Sequence, residues 1–144
     1  MATLTVSMVL GGDLVLGSAT QHGGALAELV RAGLPAESIA ELARRLDLRQ
    51  AEISAKIGIP QRTLTRRLAG KARLTAAESD RAVRLAQVFA TAAETLGSEE
   101  KAAQWLKASN RALRGGCPLD QLDTDPGVRE VEDILGRIAY GVYS

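Results

Sequence analysis

The sequence predicts an all-α protein, and two features of the 144-residue chain lead to that prediction. Apolar residues make up 46% of the chain but aromatic residues only 3%, so the core must consist of Ala, Leu, Ile and Val, which favours helices over sheets. Apolar positions also recur at spacings of three and four between Gly and Pro residues that mark helix ends. The length suits one domain, or two small ones, with a real core.

Residues 1–22 form a weakly patterned arm. Segments 6–10 and 14–16 are candidates for short strands, whereas the glycines around them favour a mobile arm equally well. This stretch lacks a basic region and contains Asp13, which makes it a poor signal peptide. The chain also has no run of eighteen apolar residues, so no membrane span is expected. The single cysteine, Cys117, fits a reducing compartment, and we expect a cytoplasmic protein.

Two helices are predicted before the most basic part of the chain. The first follows Gly24 and ends at Gly33, and the second opens at Pro35. Their apolar faces consist of Leu26, Leu29 and Val30 in the first and Ile39, Leu42, Ala43 and Leu46 in the second.

The stretch 47–73 gathers positive charge. It holds seven of the eighteen Lys and Arg residues and two acids, an excess of five positive charges in a chain whose formal charge is +1. The remainder is therefore net acidic. A basic field beside an acidic remainder is typical of proteins that contact a polyanion.

The same stretch has the pattern of a helix-turn-helix. Asp47 is predicted to cap a helix, Gly58 ends it, and Pro60 opens a second helix over 61–68. The inward residues are Ile53 and Ile57 in the first helix and Leu64 and Leu68 in the second. Arg and Thr residues fill the outer face of the second helix, as in a recognition helix. An ordinary helical hairpin with a solvated basic face is the alternative that this pattern leaves open.

A long helix is expected next, because Thr75 and Glu78 form the capping box T-x-x-E and Gly97 provides the stop. We place the domain boundary on or near it. The predicted division is a weakly patterned arm over 1–22, a helix-turn-helix DNA-binding domain with its long connecting helix over 23–96, and a C-terminal domain over 97–144.

The C-terminal part contains two more predicted helices around a loop-rich passage, 109–124. Ser98 caps the first, and Asp125 caps the second with Pro126 at its start. The apolar positions are Ala102, Trp105 and Leu106 in the first and Val128, Val131, Ile134, Leu135 and Ile138 in the second.

Catalysis finds little support in the sequence. Neither a phosphate-binding G-x-x-x-x-G-K-[ST] nor a G-x-G-x-x-G motif occurs. His22 is expected at the surface and Cys117 as an inert thiol, and together they cannot assemble a zinc site. Asp120, Asp123 and Asp125 fit turn and capping roles better than a calcium loop. We therefore predict no enzymatic activity, no cofactor and no metal.

Three blocks of motifs occur in order from Gly33 to the last residue. The first is Gly33-Leu34-Pro35 with Arg62-Thr63-Leu64-Thr65-Arg66-Arg67. The second is Leu74-Thr75, Glu78-Ser79-Asp80-Arg81 and Arg84-Leu85-Ala86. The third comprises Ala103-Gln104-Trp105-Leu106, Asn110-Arg111-Ala112-Leu113, Pro118-Leu119-Asp120, Leu122, Thr124, Gly127 and Gly136-Arg137-Ile138-Ala139-Tyr140-Gly141-Val142-Tyr143-Ser144. Together these blocks resemble the bacterial antitoxins of the Xre/MbcA/ParS group, the partners of RES-domain toxins.

The resemblance implies a two-part protein. Its N-terminal half would be an Xre-type DNA-binding domain and its C-terminal half a toxin-binding domain. Toxins of this group consume NAD, and the antitoxin covers the toxin's active site and commonly represses its own operon. The implied partners are a cognate RES-domain toxin and operator DNA, with a homodimer inside a larger toxin–antitoxin hetero-oligomer in the bacterial cytoplasm.

Candidate contact residues follow from both lines of argument. Those expected in the major groove are Arg62, Thr63, Thr65, Arg66 and Arg67. Those expected at phosphates are Lys56, Lys71 and Arg73, together with Arg44 and Arg45. Those expected at the toxin are Arg137, Tyr140, Val142, Tyr143 and Ser144, because late aromatic residues in an aromatic-poor chain suggest anchors for a partner. An apolar residue is usual near position 67, but here Leu68 comes one place later, which predicts a rotated recognition helix.

Two alternatives stay open. The first is a stand-alone helix-turn-helix transcriptional regulator, or a partition-type DNA-binding protein, without a toxin. The second is a structural adaptor that has lost DNA binding. A neighbouring RES-domain gene separates the antitoxin from the first, and salt-dependent retention on operator DNA excludes the second.

Overall fold

The computed structural model describes residues 4–17 and 24–141, and this part of the chain is helical, which confirms the all-α prediction. No strand occurs within these ranges, and an isolated antiparallel bridge joins Pro35 to Arg73. The α-helices are α1 (Val6–Val9), α2 (Gly12–Leu16), α3 (Ala25–Ala32), α4 (Glu37–Leu46), α5 (Gln50–Ile57), α6 (Gln61–Ala69), α7 (Ala76–Leu96), α8 (Glu99–Lys107) and α9 (Asp125–Ala139).

The N-terminal segment departs from the strands considered for it. Residues 6–9 and 12–16 are short helices and not strands. Val9 and Leu10 are completely buried, and α1 packs against α4 and α7. A segment of four or five residues with three apolar side chains fits a strand and a helix equally well, so the choice depends on the surface that the segment covers. Here that surface is formed by helices much later in the chain.

Three helix starts also differ from the predictions by one or two residues. Asp47 does not cap α5; it ends α4 in the left-handed conformation, with φ 54°. Arg49 is the N-cap of α5, and the Glu52 carboxylate accepts its backbone N–H at 3.0 Å. Helix α4 starts at Glu37, with Ala36 as its N-cap, rather than at Pro35. Helix α6, by contrast, starts at Gln61 as predicted, with Pro60 as its N-cap. Thr124 caps α9 in place of Asp125, because its hydroxyl accepts the Gly127 N–H at 3.1 Å.

Helix α7 is the central element, and its start confirms the predicted capping box. The Thr75 hydroxyl accepts the Glu78 N–H at 3.1 Å, and the Glu78 carboxylate accepts the Thr75 N–H at 2.8 Å. Helices α1, α3, α4 and α5 pack against α7, and so do α8 and α9. The buried apolar residues therefore form one continuous cluster that runs from Val9 to Leu135.

The loop-rich passage after α8 contains two 3₁₀ helices, Arg111–Leu113 and Pro118–Gln121. The second packs against α8 and α9, with Pro118 and Leu119 buried. The same 3₁₀ helix is linked to the end of α5 by the ion pair between Lys56 and Asp120.

Candidate functional site

Helix α6 presents a basic outer face, and its inner face holds it to the core. Leu64 is completely buried, and Leu68 is half-buried against the same cluster. Arg62, Thr65 and Arg66 are exposed, and they line one shallow concavity together with Gln61 and Ala69. Two guanidinium groups on an exposed helix face are suited to phosphate oxygens and guanine edges.

The two helices of the helix-turn-helix are joined by a polar contact near their exposed side. The Gln50 amide donates to the Thr65 hydroxyl at 2.6 Å, and that hydroxyl donates in turn to the Gln61 carbonyl at 3.0 Å. Thr65 therefore connects α5 to α6 through its hydroxyl. Thr63 is half-buried on the same helix.

The other predicted DNA contacts are partly engaged within the protein. Lys56 forms an ion pair with Asp120 of the second 3₁₀ helix. The Arg73 guanidinium donates to the Gly33 carbonyl at 2.8 Å, while Lys71 is exposed with φ 52°. Arg67 binds the Glu78 carboxylate at 2.5 Å and its side chain is 21% exposed. Sequence reasoning missed these pairings, because their members lie between 11 and 64 positions apart.

Arg44 and Arg45 lie at the end of α4 and both bind Glu41. Arg44 is largely exposed, whereas Arg45 is mostly buried and also binds Glu99 of α8 at 2.6 Å. Only Arg44 of this pair is thus presented to the outside.

The last helix anchors the second predicted surface. Val131, Ile134 and Leu135 of α9 are buried, and Trp105 packs against the same cluster. Arg137 is exposed, and the Tyr140 side chain is 87% exposed immediately after the helix. The other predicted toxin contacts, Val142, Tyr143 and Ser144, lie outside the described residues.

The surroundings of Cys117 do not activate its thiol. The Cys117 thiol donates to the Asp120 carboxylate at 3.3 Å, and burial together with this carboxylate raises the pKa of the thiol, which disfavours a reactive thiolate. Within 4–17 and 24–141, no three His, Cys, Asp or Glu side chains are grouped as metal ligands. The candidate His22 lies outside these ranges. No helix in the described part is long and apolar enough to cross a membrane.

Comparison with protein-family models identifies two regions. Residues 25–87 match the antitoxin Xre-like helix-turn-helix domain. Residues 91–141 match the antitoxin Xre/MbcA/ParS C-terminal toxin-binding domain. The first match includes α5 and α6, and the second includes α8 and α9.

Curated relatives and a solved structure agree with these matches. Antitoxin Xre of Yersinia enterocolitica is 32% identical over 130 residues, which cover 90% of this chain and 88% of the relative. Antitoxin Xre of Photorhabdus laumondii has the same identity and coverage. A chain in the crystal structure of the M. tuberculosis MbcT–MbcA toxin–antitoxin complex superposes with a TM-score of 0.57 and 25% identity, covering 76% of this chain and 96% of that one. This chain therefore belongs to the Xre/MbcA/ParS family of antitoxins, with an Xre-like helix-turn-helix domain followed by a toxin-binding domain.

Proposed function

We propose that this protein binds and neutralises a cognate RES-domain, NAD-consuming toxin by covering its active site, and binds operator DNA to repress its own operon. The observation that carries the proposal is the presence of both family regions on one chain, each with an exposed surface suited to a partner. The solved relative from M. tuberculosis belongs to a toxin–antitoxin complex, which supports a toxin partner.

On the DNA side, α6 would enter the major groove. Arg62 and Arg66 are exposed on one face, with Thr63 and Thr65 beside them. Arg can bind guanine through two hydrogen bonds, and Thr can contact a thymine methyl group. Lys71 is exposed and would meet a phosphate, whereas Lys56 and Arg73 would first exchange their present partners for DNA. One short helix reads few base pairs, so the binding unit we propose is a homodimer.

Substituting Arg66 tests the DNA part of the proposal. Arg66→Ala should weaken operator binding by about tenfold, the lower end of what a bidentate contact to guanine contributes, and should leave the fold intact because the side chain is exposed. The dissociation constant is measured at fixed salt. Arg129→Ala, which removes an exposed arginine from α9, is the matched control for net charge. An operator Kd equal to that of the control would remove Arg66 from the interface.

On the toxin side, the proposed contact residues are Arg137 and Tyr140, followed by Val142, Tyr143 and Ser144. An exposed tyrosine in a chain with 3% aromatic residues is notable, because buried interface centres are enriched in Tyr and Arg. The buried face of α9 fixes this helix on the core. The exposed Arg137 and Tyr140 would therefore present a preformed surface to the toxin.

Deleting residues 140–144 tests the toxin part. The truncated protein should fail to co-purify with the product of an adjacent RES-domain gene and should fail to preserve cellular NAD and survival when that toxin is expressed. Operator binding should be retained, since the deletion lies outside the helix-turn-helix region, and this serves as the control for folding. Cells that survive with the truncated protein would rule out this surface. A stand-alone regulator would bind the operator without retaining the neighbouring gene product.

A further inference from the structure

Arg67 of the recognition helix differs from Arg62 and Arg66 in where its charge lies. Its Nη1 contacts Glu78 Oε1 at 2.5 Å, and the two side chains are only 21% and 13% exposed. The same carboxylate oxygen accepts the Thr75 backbone N–H at 2.8 Å. A single carboxylate therefore caps α7 and holds the last turn of α6.

The residues after Glu78 make comparable contacts with the other parts of the helix-turn-helix domain. The Ser79 hydroxyl is completely buried and accepts the Leu34 N–H, just before α4, at 2.9 Å. The Arg81 guanidinium donates to the Ile57 carbonyl, at the end of α5, at 3.0 Å. The first turns of α7 thus hold three separate elements, and Glu78 is the member that holds the recognition helix.

The electrostatics of the Glu78 site favour a permanent ion pair. Burial acts to raise the pKa of Glu78, but the hydrogen bonds from the Thr75 N–H and the Arg67 guanidinium outweigh it and leave the pKa below its ordinary value. The carboxylate is therefore ionised at neutral pH. The Arg67 guanidinium is mostly buried and can form two parallel hydrogen bonds, so the ionised carboxylate holds it in one orientation.

From these contacts, and on the basis of the operator binding proposed above, we infer that Arg67 and Glu78 are positioning residues. Their ion pair fixes the angle at which α6 presents Arg62 and Arg66 to DNA, and Arg67 itself does not touch DNA. The pair also accounts for the missing apolar residue near position 67. The stem of Arg67 occupies the inward-facing position, and Glu78 satisfies its charge.

Three variants test this inference: Glu78→Gln, Arg67→Gln and the double variant. Glu78→Gln keeps an oxygen acceptor for the Thr75 N–H while removing the charge that holds Arg67. We expect each single variant to weaken operator binding about tenfold, and the double variant to bind the operator no more weakly than either single variant. The slope of log Kd against log salt concentration should stay unchanged. Affinity for a non-operator duplex should change by less than twofold, because no phosphate contact is lost.

The matched control is Asp80→Asn, which removes the same charge from the same helix two residues away, at an exposed side chain. All affinities are measured below the thermal transition of each variant, with folding checked by circular dichroism. If Arg67 contacts DNA directly, Glu78→Gln would release it and strengthen binding, and Arg67→Gln would lower the salt slope by about 0.9. If the pair only stabilises the fold, the transition temperature would fall while operator affinity stayed equal to the control.

The same experiment separates this inference from the proposed function. A wild-type protein with equal affinity for operator and non-operator duplexes would overturn the proposed operator binding itself. A wild-type protein that prefers its operator, combined with additive losses in the double variant, would overturn only the positioning role of Arg67 and Glu78.

Discussion

Two glycines of α9 differ in what surrounds them, and this gives a prediction at the scale of single residues. A Cβ at Gly127 would lie 1.8 Å from the backbone oxygen of Gln121, whereas a Cβ at Gly136 would meet nothing within 4 Å. Gly127→Ala should therefore destabilise the protein by about 1–3 kcal/mol, the usual cost of overpacking, since backbone must move. Gly136→Ala should stabilise it by about 0.5–1 kcal/mol through helix propensity.

Both variants are measured by urea unfolding at neutral pH. Gly136→Ala is the control, because it makes the same chemical change in the same helix. A Gly127→Ala protein as stable as the Gly136→Ala protein would show that the passage before α9 yields to an added methyl group, contrary to the close approach of Gln121.

Individual residues also show where prediction from sequence stops. Helical spacing predicts correctly that Leu64 faces inward. The prediction that Asp47 caps α5 is wrong, since Asp suits both an N-cap and a left-handed C-cap. The sequence does not distinguish Arg67 from Arg66, because only the three-dimensional contact with Glu78 does so.

At the scale of elements, the sequence predicts the helices whose ends are marked by a capping box, Gly or Pro. Helix α7 starts and ends at the predicted residues because a capping box opens it and Gly97 ends it. The turn between α5 and α6 follows from Gly58 and Pro60. The sequence does not predict α1 and α2, because four and five residues contain too few turns to show a helical period. Their conformation depends on packing with later helices, since α1 packs against α4 and α7 and α2 packs against α4.

The Arg67–Glu78 ion pair, which joins α6 to α7, predicts how the stability of the fold depends on pH. The pKa of Glu78 is lower in the folded protein than its ordinary value of 4.5. The ionised carboxylate therefore contributes its full stabilisation of the fold above pH 4.5, and this stabilisation is lost as the pH falls through the folded pKa. The Lys56 and Arg44 contacts lower the pKa values of Asp120 and Glu41 in the same direction. The wild-type protein should therefore lose stability on acidification below about pH 4.5.

Glu78→Gln should reduce this acid sensitivity. The variant should be less stable than the wild type at pH 7, and the difference should shrink as Glu78 becomes protonated in the wild type. Urea unfolding between pH 7 and pH 3 measures the difference, with Asp80→Asn as the variant that leaves Arg67 paired. A difference in stability between the two proteins that stays constant over this range would mean that the charge of Glu78 does not stabilise the contact between α6 and α7.

At the scale of the whole molecule, charge and packing connect the two family regions. Among the described residues, the ion pairs that cross between them are Arg45–Glu99, Lys56–Asp120, Arg84–Asp125 and Lys107–Asp47. In three of these pairs the cation lies in the helix-turn-helix region and the acid in the toxin-binding region. Of the four cations only Lys56 belongs to the basic stretch 47–73, so these pairs join the two regions while neutralising little of that stretch.

The apolar core crosses the same boundary and should decide how the protein unfolds. Phe89 of α7, Leu106 of α8 and Leu135 of α9 are all completely buried in the single cluster. Each crossing ion pair has one exposed partner and contributes little, about 0–1 kcal/mol, whereas each buried large side chain contributes about 1.5–3 kcal/mol. We therefore predict one cooperative thermal transition whose calorimetric and van't Hoff enthalpies agree.

Salt and truncation separate the two contributions. Raising the salt concentration to about 1 M screens the crossing ion pairs, and it should shift the transition while keeping it single, because the core is unaffected. A protein ending at Gly97 lacks α8 and α9, which pack against α7, and it should lose the cooperative transition. Two separate transitions in the intact protein, or a truncated protein that unfolds as sharply as the intact one, would instead mean that the helix-turn-helix region is an independent folding unit on which the toxin-binding region is merely carried.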